Sequence, residues 1–215
     1  MPDRTWNVAI VGPGWVAGAY VNSFRRRGDV QVRHVVGRTR GGAEAFAAQY
    51  ALDCTCSADL GFALDDPAVD IVVILTPHHL HADMAVAAAR AGKHMIIEKP
   101  LCVELQDLPR VRTAVREAGV KTIVGFVLRW NPLLQMIRGN VKDGRLGQLI
   151  YVETDYVHGI VGKPYTKSWQ TSRATAGTSL LLGGCHAVDA IRCLVGRRVV
   201  EVASYAGGRT DGLQY

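Results

Sequence analysis

The sequence has 215 residues, of which 48% are hydrophobic and 20% are charged. That balance is typical of a folded globular protein and argues against a disordered chain. The net charge of +6 is modest, and the arginines are scattered without interleaved aromatic residues, so we expect no nucleic-acid partner. A mild basic excess fits an anionic cofactor or substrate instead.

Cysteine usage and the lack of targeting signals indicate the compartment. Five cysteines, an odd number without CxxC spacing, favour reduced thiols. Cys54 and Cys56 could touch a metal, but alternate positions of a strand explain their spacing better. The sequence opens without a signal segment, and we expect no apolar run long enough to cross a bilayer. We therefore expect a soluble cytoplasmic protein with no membrane partner and no bound metal.

A glycine-rich turn follows the first apolar run. Val8 to Val11 precedes the sequence Gly-Pro-Gly-Trp-Val-Ala, and apolar residues then recur at helical spacing. Glycines in such a turn let the backbone approach a phosphate, and the start of a helix attracts a pyrophosphate. The pattern predicts a dinucleotide site formed by Gly12, Gly14, Trp15 and Val16.

The end of the second predicted strand, Val30 to Val36, bears on the choice of cofactor. NAD sites usually place an acidic side chain here for the ribose hydroxyls, whereas this sequence has Gly37, Arg38, Thr39 and Arg40. A small residue leaves room for a 2′-phosphate, which Arg38 can bind. We therefore predict NADP in preference to NAD, the alternative being that Arg38 and Arg40 are solvated loop residues.

Strands and helices alternate through the first 125 residues. This alternation is typical of α/β domains with a doubly wound parallel sheet, in which ligands bind at the carboxyl ends of the strands. The predicted strands after the second are Cys54–Ser57, Val69–Leu75, Met95–Ile97 and Lys121–Phe126. The predicted helices after the first are Ala43–Tyr50, Leu60–Leu64, Met84–Ala91 and Leu105–Ala118.

Two polar motifs lie at these carboxyl ends. Thr-Pro-His-His-Leu-His follows one strand and Glu-Lys-Pro the next. The three histidines lack zinc spacing and a partnering carboxylate, so we expect them to donate hydrogen bonds. Pro100 favours an extended Lys99 and presents its ammonium at a fixed place, the alternative being a Glu-Lys pair in solvent. We predict cofactor contacts from Thr76, Pro77, His78, His81, Glu98 and Lys99.

The ordered set of motifs resembles the glucose-fructose oxidoreductase, inositol dehydrogenase and rhizopine-catabolism (Gfo/Idh/MocA) family. Further matching motifs are Arg129-Trp-Asn-Pro132, Gly144-Arg-Leu-Gly147 and Gly184-Cys-His186-Ala-Val-Asp189. The resemblance implies an NAD(P)-binding Rossmann domain over residues 1–125, followed by an α+β domain over 126–215 for substrate binding and oligomer contacts. It also implies a dehydrogenase acting on a hydroxyl of a sugar, a cyclitol or a related compound, and a homo-oligomer.

Two residues match the reacting groups of the family. Lys99 matches the lysine that binds and polarises the hydroxyl, and His186 the histidine that acts as general acid/base. The chemistry is coherent by itself, because a histidine titrates near working pH and an ammonium stabilises a developing alkoxide. A His186 that merely starts a helix and is satisfied by backbone is the alternative. The expected substrate-binding residues are Lys99, Arg129, Trp169, His186 and Asp189.

The sequence also departs from the family. Leu182 stands where many members carry an aspartate, so Lys99 and His186 must suffice, Asp155 must replace it, or the chemistry differs. Predicted strands Leu149–Tyr156 and Val199–Ala206 flank a helix starting at His186, and the chain is expected to stop partway through its second domain. The alternatives are a non-catalytic or regulatory dinucleotide-binding protein and an NAD-dependent glycosidase. A helix at Leu133–Lys142 and an irregular segment with His158, Lys163, Tyr165 and Trp169 complete the prediction.

Overall fold

The computed structural model describes residues 4–157, 168–170 and 172–205. The chain divides into two compact units, Met1–Gly125 and Phe126–Tyr215. Each unit is described by itself below.

The first unit is built on a sheet of six parallel strands in the order β3-β2-β1-β4-β5-β6. The fold class is thereby confirmed. The order reverses between β1 and β4, the place where doubly wound sheets bind ligands. The strands are β1 (Trp6–Val11), β2 (Val30–Val36), β3 (Thr55–Ser57), β4 (Ile71–Ile74), β5 (His94–Ile97) and β6 (Thr122–Val124).

Helices cover both faces of this sheet. Successive strand residues point to opposite faces, and apolar side chains on each face pack against the helices that cover it. One cluster of buried side chains includes Val11, Val72 and Ile97, and the other includes Ile10 and Val35. The helices of the unit are α1 (Ala17–Arg27), α2 (Arg40–Gln49), α3 (Leu60–Leu64), α4 (His81–Arg90) and α5 (Asp107–Ala118).

Helices α2, α4 and α5 begin at residues other than those predicted. Helix α2 begins at Arg40, before the predicted Ala43, because Thr39 Oγ1 accepts a hydrogen bond from the Gly42 amide at 3.2 Å. Helix α5 begins at Asp107, later than predicted, with Pro109 in its first turn, where a missing amide hydrogen costs little.

The second unit is mainly helical in its described part. It contains α6 (Pro132–Lys142), α7 (Arg173–Ala176), a π-helical turn at Leu180–Gly184 and α8 (Cys185–Val195). The start of α6 is fixed by Asn131, whose side chain accepts a hydrogen bond from the Leu133 amide at 2.9 Å.

The two strands predicted for this unit are not found. Residues 149–157 and 199–205 carry no strand, and Ala206 lies outside the described residues. Ile150 is 96% exposed and Val200 is 87% exposed. A strand needs a hydrogen-bonded neighbour, and the described residues of this unit supply none, so alternation of apolar and polar residues was an insufficient signal.

One segment, Arg173–Val195, is long and apolar enough to cross a membrane by length and composition, with a mean hydropathy of 1.3 in its most apolar window. A single such segment is weak support for a span, because core helices of soluble proteins have the same composition. The helical path is also interrupted at Gly177, whose φ and ψ are 79° and −147°.

Candidate functional site

The glycine-rich turn joins β1 to α1. Gly12 has φ of +91°, and a Cβ there would lie 2.8 Å from the carbonyl carbon of Leu75, so the turn rests directly on the end of β4. A Cβ on Gly14 would meet only the Gly12 carbonyl oxygen, at 4.0 Å. The first glycine is therefore required by packing, whereas the second leaves its space open.

The start of α1 offers hydrogen-bond donors. Within the described residues, the backbone amides of Trp15 and Val16 have no acceptor. The first turn of α1 has neither an acidic residue nor a side-chain cap. Unsatisfied amides at a helix start favour an anion. The predicted residues Gly12, Gly14, Trp15 and Val16 thus form a turn that can hold a phosphate.

The end of β2 presents an arginine beside a tightly packed glycine. A Cβ on Gly37 would lie 3.0 Å from the Thr39 carbonyl oxygen and 3.3 Å from the Ala43 amide nitrogen, so the start of α2 leaves little room for a side chain. Arg38 is exposed and has no ion-pair partner among the described residues, whereas Arg40 pairs with Glu44 at 2.8 Å. Of the two arginines, Arg38 is the one available to an anionic ligand.

His81 supports the loops at the ends of β4 and β5. Its ring is fully buried, with Nδ1 2.7 Å from the Pro100 carbonyl oxygen and Nε2 2.8 Å from that of Thr76. Burial lowers the pKa of His81, although the two carbonyl oxygens favour the protonated ring. Both ring nitrogens of His81 therefore face backbone carbonyl oxygens, and its predicted contact with a cofactor stays a prediction.

The other residues of this loop differ in exposure. Thr76 and Pro77 are half-buried at the end of β4, and His78 is 5% exposed and packs 5.6 Å from the His81 ring. Thr76 Oγ1 lies 3.4 Å from Met84 Sδ. Among the described residues, no group of three or more histidines, cysteines or carboxylates could hold a metal ion.

Glu98 and Lys99 follow β5 directly. Glu98 Oε1 accepts a hydrogen bond from the Tyr20 hydroxyl at 2.9 Å, and Oε2 accepts one from the Lys99 amide at 3.2 Å. The Lys99–Pro100 peptide is cis. Burial and the neighbouring Glu98 carboxylate raise the pKa of Tyr20, so its phenol stays protonated and donates. Tyr20 is not among the site residues predicted from the sequence.

In the second unit, α8 carries the remaining predicted residues. The His186 ring is 7% exposed, stacks on Tyr156 with ring centres 5.5 Å apart, and meets the Phe126 ring edge-on at 6.2 Å. Leu182 is 7% exposed in the preceding π-helical turn. The position four residues before His186, where the family resemblance implies a carboxylate, is therefore held by a buried leucine.

Arg129 and Asp189 form an ion pair. The guanidinium Nε and Nη2 donate to the two Asp189 oxygens at 2.8 and 2.6 Å, and the hydrogen bonds to Asp189 raise the pKa of Arg129. Asp189 is 6% exposed. Both Asp189 oxygens thus orient Arg129, and the predicted contact of Asp189 with a substrate stays a prediction.

The segment around Trp169 is only partly described. Trp169 is half-buried in a short 3-10 helix, Ser168–Gln170, and its carbonyl oxygen accepts a hydrogen bond from Thr175 Oγ1 at 2.5 Å. Asp155, the alternative carboxylate, is exposed. His158, Lys163 and Tyr165 lie outside the described residues.

Family models match both units. Residues 6–126 match the NAD-binding Rossmann fold of the Gfo/Idh/MocA oxidoreductase family, and residues 138–214 match its C-terminal alpha/beta domain. Among curated proteins, levoglucosan dehydrogenase of Pseudarthrobacter phenanthrenivorans is 29% identical over 199 residues, which cover 88% of this chain and 51% of that protein. The NAD-dependent scyllo-inositol 2-dehydrogenase of Bacillus subtilis is 29% identical over 170 residues, or 77% of this chain and 46% of that protein.

Solved structures of oxidoreductases have a similar fold. A levoglucosan dehydrogenase in complex with NADH superimposes with a TM-score of 0.83 at 26% identity, covering 90% of this chain and 54% of that chain. An NAD-binding oxidoreductase from Klebsiella pneumoniae gives 0.82 at 29% identity, covering 89% and 54%. The chain thus spans about half the length of the relatives that it matches.

Proposed function

Because the chain belongs to the Gfo/Idh/MocA oxidoreductase family, we propose that it binds a nicotinamide dinucleotide and transfers a hydride to or from a carbon that bears a hydroxyl. The substrate class is a sugar, a cyclitol or a related hydroxy compound, as the names of its relatives suggest. The observation that carries the proposal is the turn at Gly12–Val16, with its open second glycine and two amides that have no acceptor among the described residues.

The residues divide the chemistry between them. The amides of Trp15 and Val16 bind the pyrophosphate, and the bound nicotinamide supplies the site that accepts or donates the hydride. Lys99 stabilises the developing alkoxide with its ammonium. His186 removes the hydroxyl proton during oxidation and returns it during reduction. Arg129, oriented by Asp189, and Trp169 contact the substrate.

The finer cofactor preference is for NADP. Arg38 is exposed and without an ion-pair partner among the described residues. The site has a glycine, Gly37, with little room for a side chain, where NAD sites carry the acidic residue that binds ribose hydroxyls. Arg38→Ala should weaken NADP binding about tenfold or more, as expected for loss of a charge-assisted hydrogen bond, with little change for NAD. Arg40→Ala is the matched control, since Arg40 already pairs with Glu44. An equal loss of NADP affinity in Arg38→Ala and Arg40→Ala would contradict the role of Arg38.

The function is tested by turnover. Nicotinamide absorbance is followed with sugars, anhydro sugars and cyclitols as substrates, in the wild type, Lys99→Met and His186→Asn. Each substitution should lower kcat about a hundredfold or more, whereas the exposed Lys142→Met should not. A wild type that binds cofactor but oxidises and reduces nothing would reject the proposal.

A soluble, cytoplasmic homo-oligomer completes the proposal. Five free cysteines suit a reducing compartment, and exposed apolar side chains of the second unit, such as Ile150 and Val202, favour association. Sedimentation velocity tests it, because a monomer at micromolar concentration would contradict an oligomer.

A second candidate function is non-catalytic dinucleotide binding, for which the buried Leu182 is the motivating observation. Leu182→Asp restores the carboxylate, and Leu182→Asn controls for polarity without charge. Turnover that appears only in Leu182→Asp would favour the non-catalytic function for the natural chain. Turnover in the wild type would exclude it.

A further inference from the structure

The carboxylate of Glu98 is held at both oxygens. The Tyr20 hydroxyl donates to Oε1 at 2.9 Å, and the Lys99 amide donates to Oε2 at 3.2 Å. A Cβ on Gly125 would come within 3.1 Å of Oε1 and 3.3 Å of the Tyr20 hydroxyl. The glycine after β6 therefore leaves the space that the phenol and the carboxylate share.

The Tyr20–Glu98 pair connects two parts of the proposed cofactor site. Tyr20 lies in the first turns of α1, close behind the glycine-rich turn, whereas Glu98 ends β5 and precedes Lys99. The Glu98 amide is itself fixed by a 2.9 Å hydrogen bond to the Ile74 carbonyl oxygen. With the backbone of Glu98 fixed by the sheet and its carboxylate fixed by Tyr20, the Lys99 peptide has a defined acceptor.

We propose that Tyr20 is a positioning residue for Lys99 and that it acts through the Glu98 carboxylate. The inference rests on the proposed function, because Lys99 matters only if it stabilises an alkoxide there. Without the phenol, Oε1 lacks a donor in a half-buried place, and the carboxylate turns to regain one. The Lys99 amide then loses its acceptor, and small displacements of a reacting group are costly in rate.

Amide hydrogen exchange in the cofactor-free protein tests the contact without relying on turnover. In Tyr20→Phe, the Lys99 amide should exchange about tenfold faster or more, as expected when a hydrogen bond to a charged group is lost. The Glu98 amide, bound to Ile74, should keep its rate. Tyr151→Phe is the matched control, because the 77%-exposed Tyr151 also donates to a carboxylate, Glu153, at 3.1 Å. An unchanged Lys99 rate in Tyr20→Phe would overturn the proposal.

Steady-state kinetics then test the positioning role. Tyr20→Phe should lower kcat about tenfold or more while the cofactor Kd changes about twofold at most. The double variant Tyr20→Phe, Glu98→Gln should have a kcat no lower than that of Glu98→Gln alone. Additive losses, or an equal loss in Tyr151→Phe, would contradict it. A wild type without turnover would reject the proposed function and with it the positioning of Lys99 by Tyr20 for that reaction. The exchange rates would still report whether Tyr20 holds Glu98.

Discussion

The two glycines of the turn after β1 should respond differently to alanine. In Gly12→Ala, the left-handed backbone at φ of +91° costs about 1–2 kcal/mol. The new Cβ would lie 2.8–2.9 Å from backbone atoms of Leu75 and Thr76, which cannot turn away, at a further cost of about 1–3 kcal/mol. We therefore expect Gly12→Ala to lower the free energy of unfolding by about 2–5 kcal/mol.

Gly14→Ala should keep the fold and lose the ligand. Its Cβ would meet only the Gly12 carbonyl oxygen at 4.0 Å, so the change in stability should stay within about 1 kcal/mol. The added methyl group would occupy the space where a pyrophosphate approaches the turn, and affinity for the dinucleotide should fall about tenfold or more.

Urea unfolding and a titration with reduced cofactor, followed by its fluorescence, separate the two effects. Gly139→Ala on α6 is the control, since nothing lies within 4 Å of its Cβ position and alanine favours a helix. A Gly12→Ala protein as stable as the wild type, or a Gly14→Ala protein with unchanged affinity, would refute the reasoning.

Three further predictions concern stability and reactivity. Arg129→Ala leaves the buried Asp189 carboxylate unpaired and should lower the free energy of unfolding by about 3–5 kcal/mol. Adding Asp189→Leu should largely reverse this loss of stability. Losses of the two substitutions that add up in urea unfolding would contradict the prediction. Hydrogen bonding from Arg33 holds the pKa of Asp66 below its ordinary value. The ionised Asp66 therefore stabilises the fold fully above the ordinary pKa of about 4, and this contribution is lost as pH falls through the folded-state pKa. Asp66→Asn should therefore be less stable than wild type at neutral pH, with a difference that narrows in acid; a pH-independent difference would count against it. Burial raises the pKa of Cys54 from 9.0 to about 12. At mildly alkaline pH, iodoacetamide should therefore modify Cys54 in the folded protein far more slowly than the same cysteine in an unfolded peptide. Equal modification rates, measured by peptide mass spectrometry, would disprove this prediction.

The parallel sheet could be predicted because its strands are buried on both faces and appear as apolar runs. Runs such as Val30–Val36 matched the observed β2 without shift, and the turn at Gly12 fixed the first β-α connection. Helix starts were less accurate. The start of α2 depends on the Thr39 side chain, a capping signal that the apolar pattern at Ala43 did not include.

Long-range contacts explain most of what the sequence did not reveal. Tyr20 and Glu98 are 78 residues apart, and no local pattern indicates that α1 reaches the end of β5. The sequence places His81 at the ligand-binding edge of the sheet, but it does not show that the ring contacts the Thr76 and Pro100 carbonyl oxygens. The strand predicted at Leu149–Tyr156 required a neighbouring strand, which a single segment cannot reveal.

The proposed function requires that the turn at Gly12–Val16 holds a dinucleotide whose nicotinamide reaches Lys99. A crystal structure determined with NADP bound would show whether it does. We expect pyrophosphate oxygens within hydrogen-bonding distance of the Trp15 and Val16 amides and a nicotinamide ring beside the Lys99 ammonium. Cofactor bound elsewhere, or a pyrophosphate that leaves those two amides without an acceptor, would contradict it.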